Sequence, residues 1–343
     1  MNERWKRRPE GSTWGDWGPD DECGRMNLLG PDQVLKGVAE VREGRAFMLS
    51  LPLDLPGGNV LNPRRHPPKL FATDRGGEPA YNFDLSRLDP RFTDVVSDDA
   101  ALIHLQYSTQ WDALAHVGGR FDADGDGEAE AVYYNGWRAQ EDVSGPAEAQ
   151  APFGGPQARR LGIENMAERA VQGRAVMIDL RAHFGDARTL IGRKELEQAM
   201  EADGVVVEPG DMVCFNTGFT DVIRGMGGTP DGDVLANACA ALNGRDPGLK
   251  DWVRDSGVVA LIADNYAVEA HPASEEGAGD CCASLPLHEL CLFHLGVHLG
   301  ELWWLKDLAG HLRAQGRSRF LLTAPPLNLP GAVGSPASPV GTV

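Results

Sequence analysis

The chain has 343 residues, of which 42% are hydrophobic and 24% charged, and this suits a soluble globular protein with a sizeable core. Its formal net charge of −18 argues against a nucleic-acid surface or an anionic membrane as partner. No apolar run is long enough to span a bilayer, and no apolar segment follows the basic N-terminal residues, so we expect neither a membrane span nor a secretory signal.

The first 100 residues predict few regular elements. Residues 1–30 are rich in Gly, Trp and acidic residues, which indicates an irregular N-terminal arm. A helix is predicted from Pro31 to about Gly44 because apolar residues recur at helical spacing at Val34, Leu35, Val38 and Val41. The stretch AFMLSLPLDL that follows is typical of a strand. Residues 57–100 contain turn formers and little periodicity, and predict a long surface loop that could contact substrate.

The second half alternates apolar runs with amphipathic segments. GRAVMIDLRAH, GDMVCFNTG, SGVVALIADN and SRFLLTAPPLN predict strands, GRKELEQAMEADG and LPLHELCLFHLG predict helices, and VHLGELWWLKDLAGHLRAQG predicts a strand leading into a helix. Residues 219–253 mix helix with Gly-rich turns, and residues 145–156 predict a loop. The pattern predicts a mixed α/β fold in a single domain, 1–343, with a Pro/Gly-rich C-terminal tail at 329–343.

The six cysteines include no CxxC pair, and several lie inside apolar runs. This pattern favours reduced, partly buried thiols and a cytoplasmic protein. We expect the adjacent Cys281 and Cys282 to belong to an ordinary loop.

The most informative segment is QYSTQWDALAH at residues 106–116. On a strand, Gln106, Ser108, Gln110 and Asp112 would project to one face, with His104 just upstream. Buried polar groups need partners, and core packing gives no reason for such a face. The segment therefore predicts a site that meets a ligand, a metal ion or another polar network.

This segment resembles the metal-binding motif of the cyclase-like metal-dependent hydrolases, the family that contains bacterial kynurenine formamidase and isatin hydrolase. The family pattern, His-x-Gly-Thr-His-x-Asp-x-Pro-x-His, aligns without a gap. WGPDDECGRMNLLGPDQVL, LIADNYAVE, LPLHELCLFHLGVHLGEL and PGAVGSPASPV are also similar to the family's longer bacterial members, so the resemblance covers nearly the whole chain. It implies a compact α/β fold with a mixed β-core of the swivelling β/β/α type, flanking helices, and a homodimer or homotetramer.

The resemblance also implies roles for individual residues. Asp112 matches the metal-bridging aspartate, and His116 matches the histidine that donates and accepts protons. His288 and Glu301 match the downstream metal-ligating histidine and glutamate. Thr109 matches the motif threonine and is expected to lie near the substrate.

The sequence departs from the motif at three positions. Gln106 and Gln110 stand where the family has metal-ligating histidines, and Leu114 replaces the motif proline. A set of Gln106, Gln110, Asp112, His288 and Glu301 would hold one divalent ion better than two, and would favour Mn²⁺, Mg²⁺ or weakly held Zn²⁺. Alternatively, the glutamines hydrogen-bond the backbone or fix Asp112, His104 replaces a lost ligand, or the metal is absent.

The predicted function is metal-dependent hydrolysis of a C–N or C–O bond next to a carbonyl in a small molecule, with His116 as proton shuttle. The residues do not distinguish hydrolysis of a cyclic amide or lactone from its closure. Two alternatives remain: a metal-free lyase or isomerase that uses Asp112 and His116, and an inactive relative that binds a small molecule. Trp111 is a candidate substrate contact, and three other tryptophans either line the pocket or belong to the core: Trp137, Trp303 and Trp304.

Other polar residues carry weaker signals. Residues 122–133 resemble a calcium loop, but the twelfth position is a tyrosine where a glutamate belongs, so we expect a solvated acidic turn. His294 and His298 are expected to face solvent or a subunit contact. Asp264 and Glu269 either line the pocket or form a structural turn.

Overall fold

A computed structural model of the chain describes residues 4–145, 155, 157–279 and 282–343. Most of the predicted loop at 145–156, and Cys281 of the adjacent cysteine pair, lie outside the described residues. Every cysteine in the described ranges is a free thiol. No helix in these ranges is long and apolar enough to cross a membrane.

Nine strands form the main sheet. In chain order they are β1 Ala46–Met48, β2 Gln110–Asp112, β3 Gln172–Ile178, β4 Met212–Phe215, β5 Ala260–Ala263, β6 His298–Glu301, β7 Arg319–Thr323, β8 Gly334–Pro336 and β9 Val340–Thr342. Their order across the sheet is β1-β9-β7-β3-β4-β5-β6-β2-β8. β3 to β6 run parallel to one another, and all the other neighbouring strands pair antiparallel.

The C-terminal strands require this sheet to curl. β8 lies at one edge and β9 lies next to the other edge, seven strand spacings away. In a flat sheet that separation would be about 34 Å. Only residues 337–339 connect the two strands, and so short a segment spans at most about 14 Å. The two edges therefore approach each other, and the sheet is a nearly closed, barrel-like layer.

Helices flank the curled sheet. The α-helices are Pro31–Val38, Ile163–Glu168, Leu180–Phe184, Arg193–Asp203, Phe219–Gly225, Gly232–Ala236, Pro247–Ser256, Pro286–His288 and Lys306–Ala314. A π-helix, Glu289–Leu295, continues Pro286–His288, and three short 3₁₀ helices cover Gly24–Leu28, Leu85–Arg87 and Tyr134–Gly136. The predicted α/β class, with a mixed β-core and flanking helices, is confirmed.

Six small two-stranded ladders lie outside the main sheet. They pair Lys69–Ala72 with Asp99–Leu102, Asp74–Arg75 with Glu78–Pro79, Phe83–Asp84 with Val95–Val96, Gly119–Phe121 with Glu130–Val132, Val143–Ser144 with Gln157–Ala158, and Thr189–Ile191 with Ala240–Leu242. Two of the ladders fall within the segment 57–100 that was predicted as a long surface loop, and a third extends two residues beyond it. That segment is thus exposed, as predicted, but carries short strands.

Alternating side chains divide the core between the two faces of the sheet. On β4, Val213 and Phe215 pack into one cluster with the helices Arg193–Asp203 and Pro247–Ser256. Met212 and Cys214 pack on the opposite face with the helix Lys306–Ala314. We call these the outer and the inner core.

The predictions for the first helix and for the C-terminal tail need correction. The first helix ends at Val38, and its predicted apolar face is exposed: Leu35 is 65% and Val38 50% exposed, whereas Gln33 and Gly37 are buried. Gly37 allows close approach, since a Cβ there would lie 2.8 Å from the Gly173 carbonyl carbon. The predicted C-terminal tail, in turn, supplies β8 and β9 to the main sheet.

Candidate active site

The site begins on β2, whose alternation divides its three residues between the two faces. Trp111 packs into the inner core, so Gln110 and Asp112 project to the opposite face. Asp112 is fully buried, and Gln110 Nε2 lies 3.4 Å from Asp112 Oδ1. Gln106 precedes the strand in a turn, yet its Nε2 lies 3.1 Å from the same oxygen. The predicted continuous strand face over residues 106–112 is wrong, but Gln106, Gln110 and Asp112 still meet.

Ser108 and His104 do not join them. The Ser108 hydroxyl donates to the Pro52 carbonyl oxygen. The His104 imidazole contacts the backbone of His66 on an exposed loop. His104 is absent from the candidate ligand group found among the described residues, so its predicted role as a substitute ligand is not supported.

The neighbouring strand β6 brings a second carboxylate. Glu301 pairs in register with Gln110, which donates from Nε2 to Glu301 Oε2 at 3.0 Å. His288, at the end of its short helix, places Nε2 3.2 Å from Glu301 Oε1 and 3.9 Å from Asp112 Oδ2. Asp112, His288 and Glu301 each offer a ligand atom, and these atoms lie within 4.8 Å of one another. Three buried side chains from distant parts of the chain therefore form one candidate metal group.

Glu269 fixes the orientation of His288. Its carboxylate accepts the backbone N–H groups of Leu287 and His288 and contacts His288 Nδ1 at 2.8 Å. The Nδ1 proton is thereby held by Glu269, and Nε2 is left facing Asp112 and Glu301. Of the two alternatives for Glu269, the geometry favours a structural role that supports the site.

The buried charges shift each other's pKa values. Burial opposes the charged form of His288, but the hydrogen bonds that its ring N–H groups donate to Glu269 and Glu301 outweigh burial and raise the pKa of His288 to about 10. Burial also raises the pKa of Asp112, with the charge of Glu301 acting in the same direction. For Glu301, burial is outweighed by its contact with His288, which lowers the pKa of this carboxyl. The site thus holds paired, strongly coupled charges away from water.

His116 lies at the edge of this group. Its Nδ1 is 2.8 Å from Gln106 Nε2, its Nε2 is 3.9 Å from Asp112 Oδ1, and its side chain keeps 21% exposure. Burial lowers the pKa of His116, against the opposing charge of Asp112, and this favours a neutral imidazole at pH 7. An amide nitrogen can only donate, so Nδ1 accepts and the proton resides on Nε2, which faces the site.

Two unpaired atoms test whether a metal ion would fit. Within the described part of the chain, Gln110 Oε1 and Asp112 Oδ2 are buried and have no hydrogen-bond partner. A buried unpaired carboxylate oxygen is costly, and a cation held with His288 and Glu301 would satisfy both oxygens. The residues fit one divalent ion, with ligation by Gln110 still a prediction. Gln106 presents its donor to Asp112 and His116, so its predicted ligation is not supported in this arrangement.

Two predicted substrate contacts lie in the core. Trp111 is fully buried against Trp303, and its Nε1 donates to the Ala324 carbonyl oxygen. The Thr109 hydroxyl donates to the Leu302 carbonyl oxygen and accepts the Leu51 N–H. Both polar groups are already satisfied within the fold, so the structure gives no support to the predicted substrate contacts of Thr109 and Trp111, which stay predictions.

The remaining tryptophans are also structural. Trp303 is fully buried and donates from Nε1 to the backbone oxygen of Gln110. Trp137 lies under the guanidinium groups of Arg4 and Arg160, and Trp304 donates to Asp307. They belong to the core and its rim, the second of the two predicted possibilities.

The other polar predictions have varied outcomes. His298 is only 2% exposed, so its expected exposure is wrong, whereas His294 is half-buried. Asp264 accepts three hydrogen bonds from Thr217 and Gly218 and is a structural residue.

The acidic loop contains a second group of carboxylates that could hold a cation, Asp122, Asp124 and Glu130. Arg7 already pairs with Asp122, and Arg138 pairs with both Asp124 and Glu130. Arginine side chains therefore supply the positive charge at this loop.

Sequence reasoning missed the roles of two residues beside Gln106. Gly334, on β8, leaves room for the Gln106 side chain, since a Cβ there would lie 2.7 Å from Gln106 Cγ. Arg65 donates to the backbone oxygen of Gln106 at 2.7 Å. Arg65 lies in the segment 57–100, which was predicted only as a surface loop that could contact substrate, and Gly334 lies in the predicted C-terminal tail, so neither residue was singled out.

Comparison with known proteins identifies a family and related folds. Residues 49–270 match the model of a family described as "Putative cyclase". A solved structure described as a novel cyclase is 29% identical, with a TM-score of 0.73 and 97% of each chain covered. No curated protein matches this chain.

Two isatin hydrolases share the fold at lower identity. Isatin hydrolase A from Labrenzia aggregata is 13% identical with a TM-score of 0.54, covering 90% of this chain and 97% of that one. Isatin hydrolase A from Ralstonia solanacearum is 15% identical with a TM-score of 0.53, covering 87% and 91%. At these identities the likeness concerns the fold.

Proposed function

Since the chain belongs to the cyclase family, we propose that it is a metal-dependent hydrolase that cleaves a C–N or C–O bond next to a carbonyl in a small molecule. The observation that carries the proposal is the convergence of Asp112, His288 and Glu301 in one buried group beside His116. The shared fold of two isatin hydrolases supports hydrolysis as the reaction class.

The metal would be a single Mn²⁺, Zn²⁺ or Mg²⁺ held by Asp112, His288 and Glu301, with Gln110 as a further oxygen ligand. A divalent ion there would supply Lewis-acid polarisation of the substrate carbonyl and would make water more acidic. Glu269 holds His288 in the tautomer that leaves Nε2 free for a ligand role. One ion fits this donor set better than two because the glutamines replace two imidazoles.

His116 would move the proton that the reaction requires. Hydrolysis adds the hydroxyl group of water to the carbonyl carbon and a proton to the departing nitrogen or oxygen. With its Nδ1 engaged by Gln106, His116 carries its proton on Nε2, the atom that faces the metal group. To take up the proton that water loses and pass it to the leaving group, Nε2 must be free, which requires the Gln106 amide to turn so that its oxygen accepts the proton of Nδ1. The lowered pKa of His116 keeps the imidazole neutral and able to accept that proton near pH 7.

The test begins with elemental analysis of protein purified without chelator or nickel. We expect near-stoichiometric metal in the parent and its loss in Asp112→Ala. Asp255→Ala is the control, because it removes one exposed carboxylate from a surface helix and should keep the metal. His116→Gln should keep the metal and lose turnover with a panel of amides, lactones and esters.

Other outcomes would refute the proposal in distinct ways. Absence of metal from the parent, even after soaking in Mn²⁺ and Zn²⁺, would exclude the metal-dependent mechanism. Turnover that survives metal removal would point to acid–base chemistry by Asp112 and His116. Metal binding without turnover on the whole panel, in parent and variants alike, would identify a binding protein.

A further inference from the structure

A narrow pocket of about 10 Å³, with room for about one polar atom of a ligand, adjoins the candidate metal group and shares one residue with it. The pocket is lined by Pro56, Asn59, Leu61, Asn62, Arg65, Gln106, Tyr107 and Tyr266. Gln106 is the shared residue, because its side chain contacts Asp112 and His116. A molecule bound at the metal group would therefore extend toward Arg65 and Tyr266.

Arg65 brings a positive charge without a direct ion-pair partner among the described residues to this pocket. Its Nη1 donates to the Gln106 backbone oxygen at 2.7 Å, which fixes the guanidinium at the pocket wall. None of the described residues forms a salt bridge with Arg65, although the chain carries 50 acidic residues against 32 basic ones. A guanidinium held in this way has most of its donors free for a ligand.

Tyr266 supplies a second donor, and its direction is set by Asn62. The Asn62 Oδ1 accepts the Arg64 N–H at 3.1 Å, so the amide nitrogen points the other way. That nitrogen donates to the Tyr266 hydroxyl oxygen at 3.2 Å. Because the hydroxyl oxygen accepts this bond, its own proton is available to the pocket. Burial raises the pKa of the Tyr266 hydroxyl, and the negative charge of Glu301 in the metal group acts in the same direction.

We propose that Arg65 and Tyr266 form a carboxylate-binding subsite, so that the hydrolase acts on small molecules that carry a carboxylate or release one beside this pocket. The proposal rests on the proposed function for the reaction, but the subsite stands on its own contacts. A planar carboxylate matches the guanidinium fork and has a further lone pair for the tyrosine hydroxyl. The three carboxylates of the centre, Asp112, Glu269 and Glu301, would repel such a ligand unless a cation faced it.

The binding test uses benzoate and its neutral counterpart benzamide, titrated by calorimetry into metal-loaded and metal-depleted protein. Arg65→Gln should weaken benzoate about ten- to a hundredfold, the range for a lost charged hydrogen bond, and leave benzamide unchanged. Tyr266→Phe should weaken benzoate about fivefold. Arg64→Gln is the matched control, because it removes the same charge from the adjacent exposed residue, which does not line the pocket.

A second arm distinguishes the two sources of the carboxylate. It compares hydrolysis of 4-acetoxybenzoate with that of its neutral methyl ester. A higher KM for the acid alone in Arg65→Gln would show a carboxylate that the substrate carries. An unchanged KM for both, with weaker inhibition by acetate in Arg65→Gln, would show one that hydrolysis releases. Arg65→Lys keeps the charge and checks folding, and should restore part of the benzoate affinity.

These experiments distinguish failure of the proposed subsite from failure of the proposed reaction. Equal benzoate affinity in parent and Arg65→Gln, or equal weakening by Arg64→Gln, overturns the subsite whatever the metal content. Benzoate binding that depends on Arg65 in a protein with neither metal nor turnover supports the subsite and refutes the hydrolase.

Discussion

Replacing Glu269 with glutamine tests whether this residue holds the centre together. The change keeps the size of the side chain and removes its charge. Glu269 is 1% exposed. Its carboxylate accepts hydrogen bonds from the backbone N–H groups of Leu287 and His288, each at 2.9 Å, and lies 2.8 Å from His288 Nδ1. The neighbouring backbone leaves little room for rearrangement, since a Cβ on Gly244 would lie 2.2 Å from Glu269 Oε2.

The magnitude follows from these contacts. Glutamine offers one acceptor oxygen, and its amide nitrogen would face donors, so at least one N–H group loses its partner. A buried unsatisfied donor costs about 1–3 kcal/mol, and more where a charged partner is involved. We therefore expect Glu269→Gln to lower the free energy of unfolding by about 2–5 kcal/mol. For a chain of 343 residues the corresponding fall in Tm is roughly 3–7 °C. Metal affinity should fall about 10- to 100-fold because the ligand imidazole loses its orienting carboxylate.

The assay is differential scanning calorimetry of metal-depleted and metal-loaded protein, with metal affinity from competition against a chromogenic chelator. Glu276→Gln is the matched control, because it makes the same change at an exposed position a few residues along the chain. Equal Tm values and equal metal affinities for the two variants would refute this account of Glu269.

Three further predictions concern the pH response, the packing of the site and a buried ion pair. The pKa of His288 is raised from 6.5 to about 10, so in metal-depleted protein its stabilising effect is complete below about pH 6.5 and is lost as the pH rises through 10. Urea unfolding of parent and His288→Gln should show the difference in stability shrink between pH 6.5 and 10.5, and a constant difference would contradict the assignment. Gly334→Ala should displace the Gln106 side chain and reduce ester turnover roughly ten- to a hundredfold, with an unchanged circular dichroism spectrum. Full activity in this variant would show that Gly334 does not hold the Gln106 side chain in place. Asp211→Asn should lower the free energy of unfolding by about 1–3 kcal/mol, because Arg174 loses its buried bidentate partner and keeps Glu208 as its remaining carboxylate, and urea titration that shows no loss would exclude that role.

The fold was predictable where apolar residues form continuous or strictly periodic runs. The strands over residues 172–178, 212–215 and 260–263 are buried on both faces, so each reads as an unbroken apolar stretch. The rotation of the first helix was not predictable, because a glycine-to-backbone contact, rather than the leucine and valine side chains, decides which face packs.

The candidate site was predictable in its composition and not in its geometry. Asp112, His288 and Glu301 were assigned by resemblance, since no local pattern connects residues so far apart in sequence. Alternation on β2 did separate Asp112 from Trp111, so the sequence itself argued against Trp111 as a substrate contact. Asn62 and Tyr266 act through the directions of their hydrogen bonds, which residue order does not reveal.

The pairing of β8 with β2 has a consequence for how the protein is made. β8 joins Gly334 to Asp112 across more than 200 residues of intervening chain. During synthesis, every residue that contacts the metal group leaves the ribosome before the strand that covers the free edge of β2. Until residues 334–336 are synthesised, that edge exposes unpaired backbone groups. The Gln106 side chain also lacks Gly334, the residue that packs against it in the folded protein. Such long-range closure is slow, so we expect the nascent chain to acquire its helical layer first and its metal group last.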